Sequence, residues 1–76
     1  MIVSVDLHFR SSPADEHRNL GVVEVEHGGP ALEPYQEITY RAGDRQVRAQ
    51  VTAIRARPEH LPHVYADGVE AEELVG

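Results

Sequence analysis

The sequence predicts a mainly β domain, a small antiparallel five-stranded barrel or strongly curved sheet with at most one short helix. Three observations point there. The larger apolar residues are dominated by β-branched types, with ten valines and three isoleucines against five leucines and one methionine. Such side chains fit a pleated, half-buried surface better than a helix. Apolar residues recur with a period of two in several short segments. Glycine, proline and aspartate clusters separate those segments at regular intervals.

The first strand is the clearest. Val3, Val5, Leu7 and Phe9 alternate with Ser4, Asp6, His8 and Arg10, so the first set faces a core and the second faces water. Ser11-Ser12-Pro13-Ala14-Asp15 then has the form of a helix start, with Ser12 as cap and Pro13 in the first helical position. The interval to Gly21 leaves room for a turn or two at most over 13–20, and an irregular loop is the competing reading. Val22 to Glu26 is a second strand, with Val23 and Val25 on one face, stopped by Gly28-Gly29-Pro30.

Tyr35 to Arg41 and Arg45 to Arg57 flank Ala42-Gly43-Asp44 and form a hairpin. A two-residue turn at Gly43-Asp44 sets Tyr40 opposite Val47 and Ile38 opposite Ala49 on the buried side. Arg41, Thr39 and Glu37 then oppose Gln46, Arg48 and Gln50 on the other side. A one-residue slip would set Ile38 against Arg48, so burial selects the first register. The alternation Val47, Ala49, Val51, Ala53 changes phase at Ile54, which predicts a β-bulge or sharp bend. Pro58 to His63, with two prolines, is expected to be a loop, and Val64-Tyr65-Ala66 a short strand. Asp67-Gly68 carries a type I′ turn signal that would pair Ala66 with Val69 and Val64 with Ala71. A helical turn over Val69 to Val75 is the alternative for the C-terminal end. No internal repeat or linker is visible, so residues 1–76 are expected to form one small β domain.

Composition narrows the chemistry. The chain has 76 residues, no cysteine and no lysine; all seven basic side chains are arginine. Disulfides, thiolate metal sites and thiol or Schiff-base catalysis are therefore excluded. No serine sits in a nucleophile-elbow context, and no glycine-rich stretch links a strand to a helix as a phosphate cradle would. The pairs Glu24/Glu26 and Glu70/Glu72 read as solvated strand faces rather than acid–base pairs. The expectation is a protein that is not an enzyme and carries no cofactor. No apolar run approaches the roughly 18 residues that span a bilayer, and Met1 to Phe9 lacks the form of a secretory signal. A cytoplasmic location without membrane contact is the corresponding expectation.

Charge is unevenly distributed within a net of −6. Residues 41–57 hold five arginines against Asp44 alone, between two acidic segments. Guanidinium groups suit phosphate or carboxylate partners. The expected function is a non-catalytic binding or accessory module acting through protein–protein contacts or self-association. Its surface would be the arginine-rich hairpin: Arg41, Arg45, Arg48, Arg55 and Arg57. A basic segment between acidic ones is complementary to a second copy of itself. A nucleic-acid-binding barrel using the same hairpin is the alternative, weakened by the acidic net charge and the scarcity of aromatics for stacking. Pairing of Arg41 or Arg48 with Glu24, Glu26 or Glu37 across strands would instead make the ribbon simple charge balance.

Five histidines raise a further alternative, a His-based metal-binding domain. His60 and His63 are its candidate ligands, with Glu59 beside them and His8, His17 or His27 available to complete a site if the fold brings them near.

Overall fold

In the computed structural model, which describes residues 1–69, the period-two segments become five strands. They are β1 (Ile2–Arg10), β2 (Arg18–Glu26), β3 (Glu37–Ala42), β4 (Arg45–Arg57) and β5 (His60–Gly68). Each strand pairs with the next in antiparallel fashion, and β5 returns to β1 to close a barrel. In an up-and-down meander of five, the first and last strands run the same way. Closure is therefore made by a parallel pair, from Asp6↔His63 through His8↔Tyr65 to Arg10↔Asp67. Because side chains alternate, the even residues of β1 and odd residues of β5 stand together on the outer wall.

Every pair expected of the β3–β4 hairpin is present, from Glu37↔Gln50 to Ala42↔Arg45. Gly43 has φ 68 while Asp44 does not share a positive φ, the pattern of a turn with glycine at its first central position. The phase change at Ile54 is a bulge at Thr52, since Val51 pairs with Ala66 but Ala53 pairs with Tyr65. The Thr52 hydroxyl donates to the Tyr65 carbonyl at 3.2 Å and pins the bulge. Beyond it Ile54 returns to the core side, and Arg55 and Arg57 turn outward. A second bulge lies at Leu20 in β2, between Leu7↔Gly21 and His8↔Asn19.

The core consists of Val5, Leu7, Val25, Ile38, Tyr40, Ala49, Val51, Val64 and Ala66, with Val3, Phe9, Val23, Leu32, Val47 and Ile54 packed around it. Phe9 meets Tyr40 edge-on at 5.8 Å. The wall is weakest between β2 and β3, which pair only through Val25↔Tyr40 and Glu26↔Thr39.

Of the two readings of residues 13–20 the irregular loop holds as far as the start of β2, and two further local expectations are corrected. Residues 11–17 contain bends and turns but no helix: the Ser12 carbonyl accepts from the Asp15 amide at 3.0 Å, and the segment turns toward β2 before a helix can propagate. Residues 58–63 are not a loop. Pro58 and Glu59 form a tight turn with Glu59 at φ 65, and β5 begins at His60. Pro62 is tolerated because it falls where the β4–β5 register slips and before pairing with β1 starts, so no ladder position requires its missing amide hydrogen. Asp67-Gly68 is not a turn either: the strand continues through it, with Ala49↔Gly68 paired. Gly68 serves close approach. A Cβ there would lie 3.2 Å from the Phe9 ring and 3.2 Å from the Ser11 carbonyl oxygen. The proposed Val64–Ala71 pairing and the helical turn over Val69 to Val75 extend outside the described residues. No helix among the described residues is long and apolar enough to cross a membrane.

Candidate functional site

The parallel seam gathers ionisable groups on the outer wall. Asp6 and His8 are two apart on β1, hence on one face, and His63 is brought beside them from β5. His8 Nε2 lies 2.9 Å from His63 Nδ1. His8 Nε2 is 3.9 Å from Asp6 Oδ1, and His63 Nδ1 is 3.8 Å from Asp6 Oδ2. All three side chains are half-buried, and one donor atom from each lies within 4.8 Å of the others. Asp6 Oδ1 is buried and has no hydrogen-bond partner. A buried carboxylate oxygen without a donor is costly, and a cation between the three groups would relieve it.

Orientation is enforced by stacking. The His8 ring lies against Tyr65 at 4.3 Å and 13°, and against His63 at 5.1 Å and 29°. His17 meets the same tyrosine edge-on at 5.3 Å. On its far side, His63 Nε2 faces Arg57 Nη1 at 3.4 Å. A guanidinium only donates, so Nε2 is the acceptor in this contact. The proton of neutral His63 is thereby placed on Nδ1, where it donates to His8 Nε2.

One turn of alternation further along the seam, Arg10 grips Asp67 with both arms of its fork, Nε to Oδ1 at 2.6 Å and Nη2 to Oδ2 at 3.2 Å. The same guanidinium donates to the Pro13 and Asp15 carbonyls at 3.3 Å each, tying the 11–17 segment to the barrel. The hydrogen bond from Arg10 lowers the Asp67 pKa below its ordinary 3.8; burial opposes the shift, and the charges of Arg10 and His17 add to it. A carboxyl depressed in the fold stabilises it fully above its unfolded pKa and progressively less as pH falls through the lower folded value. Asp67→Asn should therefore lower the urea midpoint at pH 7, and the gap from the parent should shrink at pH 3 and below. A gap that is constant with pH would show that the ion pair is not the source.

The five arginines do not form one surface. Arg45 and Arg57 are the two ends of the 13-residue β4, roughly 40 Å apart at strand rise, in a molecule 43 Å in its longest extent. Arg41, Arg45 and Arg48 belong to the β3–β4 end. Arg48 pairs with Glu37 at 3.4 Å with both side chains half exposed, which is the charge balance weighed from the sequence. Arg55 and Arg57 belong to the opposite end and flank His63, which Arg55 pairs across the ladder.

Of the two histidines singled out as ligands, His63 joins the Asp6–His8 cluster, while exposed His60 stands across the β4–β5 turn, opposite Arg57, and does not. His17 goes to Tyr65, and its Nε2 lies 3.3 Å from Asp67 Oδ1. His27 is buried at another place, where its backbone exchanges hydrogen bonds with Met1 at 2.8 and 2.9 Å. Asp6 was not singled out from the sequence. The available signal was the Asp-x-His spacing on a strand, which sets both side chains on one face. Compared with protein-family models, curated proteins and solved structures, the chain shows no significant match.

Proposed function

We propose that the protein is a metal-binding module that holds one divalent transition ion between His8 Nε2, His63 Nδ1 and an Asp6 carboxylate oxygen. The observation that carries this reading is the convergence of three side chains: His8 Nε2 and His63 Nδ1 are 2.9 Å apart and lie 3.9 and 3.8 Å from Asp6 Oδ1 and Oδ2 respectively, and one donor atom from each residue falls within 4.8 Å of the others. Ligands of a tetrahedral zinc ion at about 2.0–2.1 Å are separated by about 3.3 Å, a spacing these distances bracket. Two imidazoles and a carboxylate suit zinc and its first-row neighbours. Three protein ligands on an outer wall leave a fourth position to water or a ligand. Since the donors come from β1 and β5, the ion would staple the parallel seam that closes the barrel, and binding energy would become folding energy.

Titration of the full chain with zinc is expected to show one saturable site. With free zinc at 100-fold over Kd, the melting temperature should rise by roughly 10–20 °C. Cobalt should give the visible absorption of a low-coordinate N/O site. Absence of saturable binding below about 1 mM, a free energy of only about −4 kcal/mol, would overturn the reading.

A second reading is favoured by a different observation. Arg41 and Arg45, at the β3–β4 end, are exposed and have no carboxylate partner among the described residues. A non-catalytic protein contact or self-association through that end accounts for them. For self-association, the zinc-free protein should sediment with concentration-dependent mass at low salt, and should become monomeric when salt screens the contact. A strict monomer at every concentration would exclude the self-association form.

A further inference from the structure

We infer that the groove bounded by Arg55, Arg57, His63 and Tyr65 binds a small tetrahedral oxyanion of the phosphate or sulfate class, and that an ion at Asp6–His8–His63 tightens it. The coupling rests on the metal reading above; the groove does not.

The groove exists because of the Thr52 bulge. The added residue shifts the phase of β4, so that Arg55 and Arg57 point outward beside β5 instead of Ile54. Ala56 completes the lining, leaving an open volume of about 540 Å³ with no carboxylate on its wall. Neither arginine makes a salt bridge with any acid among the described residues. Two guanidinium forks that line one groove and have no carboxylate partner among the described residues suit an oxyanion, which accepts paired N–H bonds.

His63 joins the groove to the metal triangle through its two ring nitrogens. Without an ion, Nε2 accepts from Arg57 and Nδ1 carries the proton. Coordination at Nδ1 moves that proton to Nε2, so Nε2–H and Arg57 Nη1–H face each other across 3.4 Å as two donors with no acceptor. Metal-bound imidazoles almost always give their second N–H to an acceptor, commonly a carboxylate. No carboxylate of the described chain lies at this nitrogen. An anion oxygen placed between Arg57 and His63 would accept both hydrogens and offset the added positive charge. Proton count is conserved, since the step is a change of tautomer.

The test is a sulfate titration of the zinc-free and zinc-loaded protein at constant ionic strength with chloride. His63 ring and arginine side-chain resonances provide the readout. Saturable shifts at His63, Arg55 and Arg57 are expected, with affinity about 5-fold or more higher when zinc is bound. By linkage, sulfate must then tighten zinc by the same factor. The double variant R55Q/R57Q should keep zinc and lose sulfate. No saturation in either state, or unchanged sulfate affinity in the double variant, would overturn the groove. Equal affinity with and without zinc would overturn the coupling. If zinc itself fails to bind, the metal reading falls alone, and the zinc-free titration still decides the groove.

Discussion

Alanine at His63 is expected to weaken zinc binding by at least about 100-fold, because it removes one of three protein ligands, a larger loss than that of an outer-shell partner. The effect on the metal-free fold should be about 1–2 kcal/mol, because His63, with 22% of its side chain exposed, also loses its 2.9 Å hydrogen bond to His8 and its stack on that ring. His8→Ala should lose zinc to a similar degree. It should also cost the metal-free protein about 0.5–1.5 kcal/mol, the worth of an aromatic contact, since its ring lies 4.3 Å from Tyr65. His60→Ala is the internal comparison. His60 lies outside the triangle, so zinc affinity should not change. Competition with a chromophoric chelator measures all three. If His60→Ala loses zinc and His63→Ala does not, the ligands come from the β4–β5 turn rather than from the seam.

That comparison also marks the boundary of what local pattern reveals. Alternation combined with burial specified the β3–β4 register, because a one-residue slip would have set Ile38 against Arg48. The phase change at Ile54 exposed the bulge for the same reason. Closure of the barrel left no such trace. The parallel seam joins His8 to His63 across 55 positions, with no turn between them to announce the pairing. The metal triangle exists only because of that seam, so His63 could be suspected while its partners could not be chosen among the remaining histidines. Local rules also misled where tertiary contacts overrode them. Pro62 reads as a strand breaker, but it occupies a register slip where no amide hydrogen is needed. Asp67-Gly68 reads as a turn, but Gly68 is required for its bare Cα against Phe9 and Ser11. The arginine ribbon looked continuous in sequence because a strand spends about 3.3 Å on each residue. Closeness in number became distance in space, and the bulge then delivered two of the five arginines to the His63 groove.

Leu7→Ala is expected to cost about 3–5 kcal/mol. Leu7 is, with Ile38, among the largest of the fully buried side chains, in a core where it is joined by only eight other buried apolar residues. It occupies the middle of β1, the strand that pairs with β2 at Leu7↔Gly21 and with β5 at Leu7↔Val64. Gly21 supplies no side chain to fill the space, so a cavity opened at position 7 cannot collapse from that direction. A chain of this length has roughly 4–11 kcal/mol of stability in total, so the substitution removes about a quarter of it at the least. Val22→Ala on the adjacent strand is the contrast: Val22 is 67% exposed, and its loss should cost under about 1 kcal/mol. Urea unfolding followed by circular dichroism measures both. The Leu7→Ala midpoint should fall while the slope stays near that of the parent. Zinc, by linking β1 to β5 beside the cavity, should recover part of the loss in proportion to the logarithm of its concentration. A cost below about 1.5 kcal/mol at Leu7 would mean that the fold is not held where its burial places it.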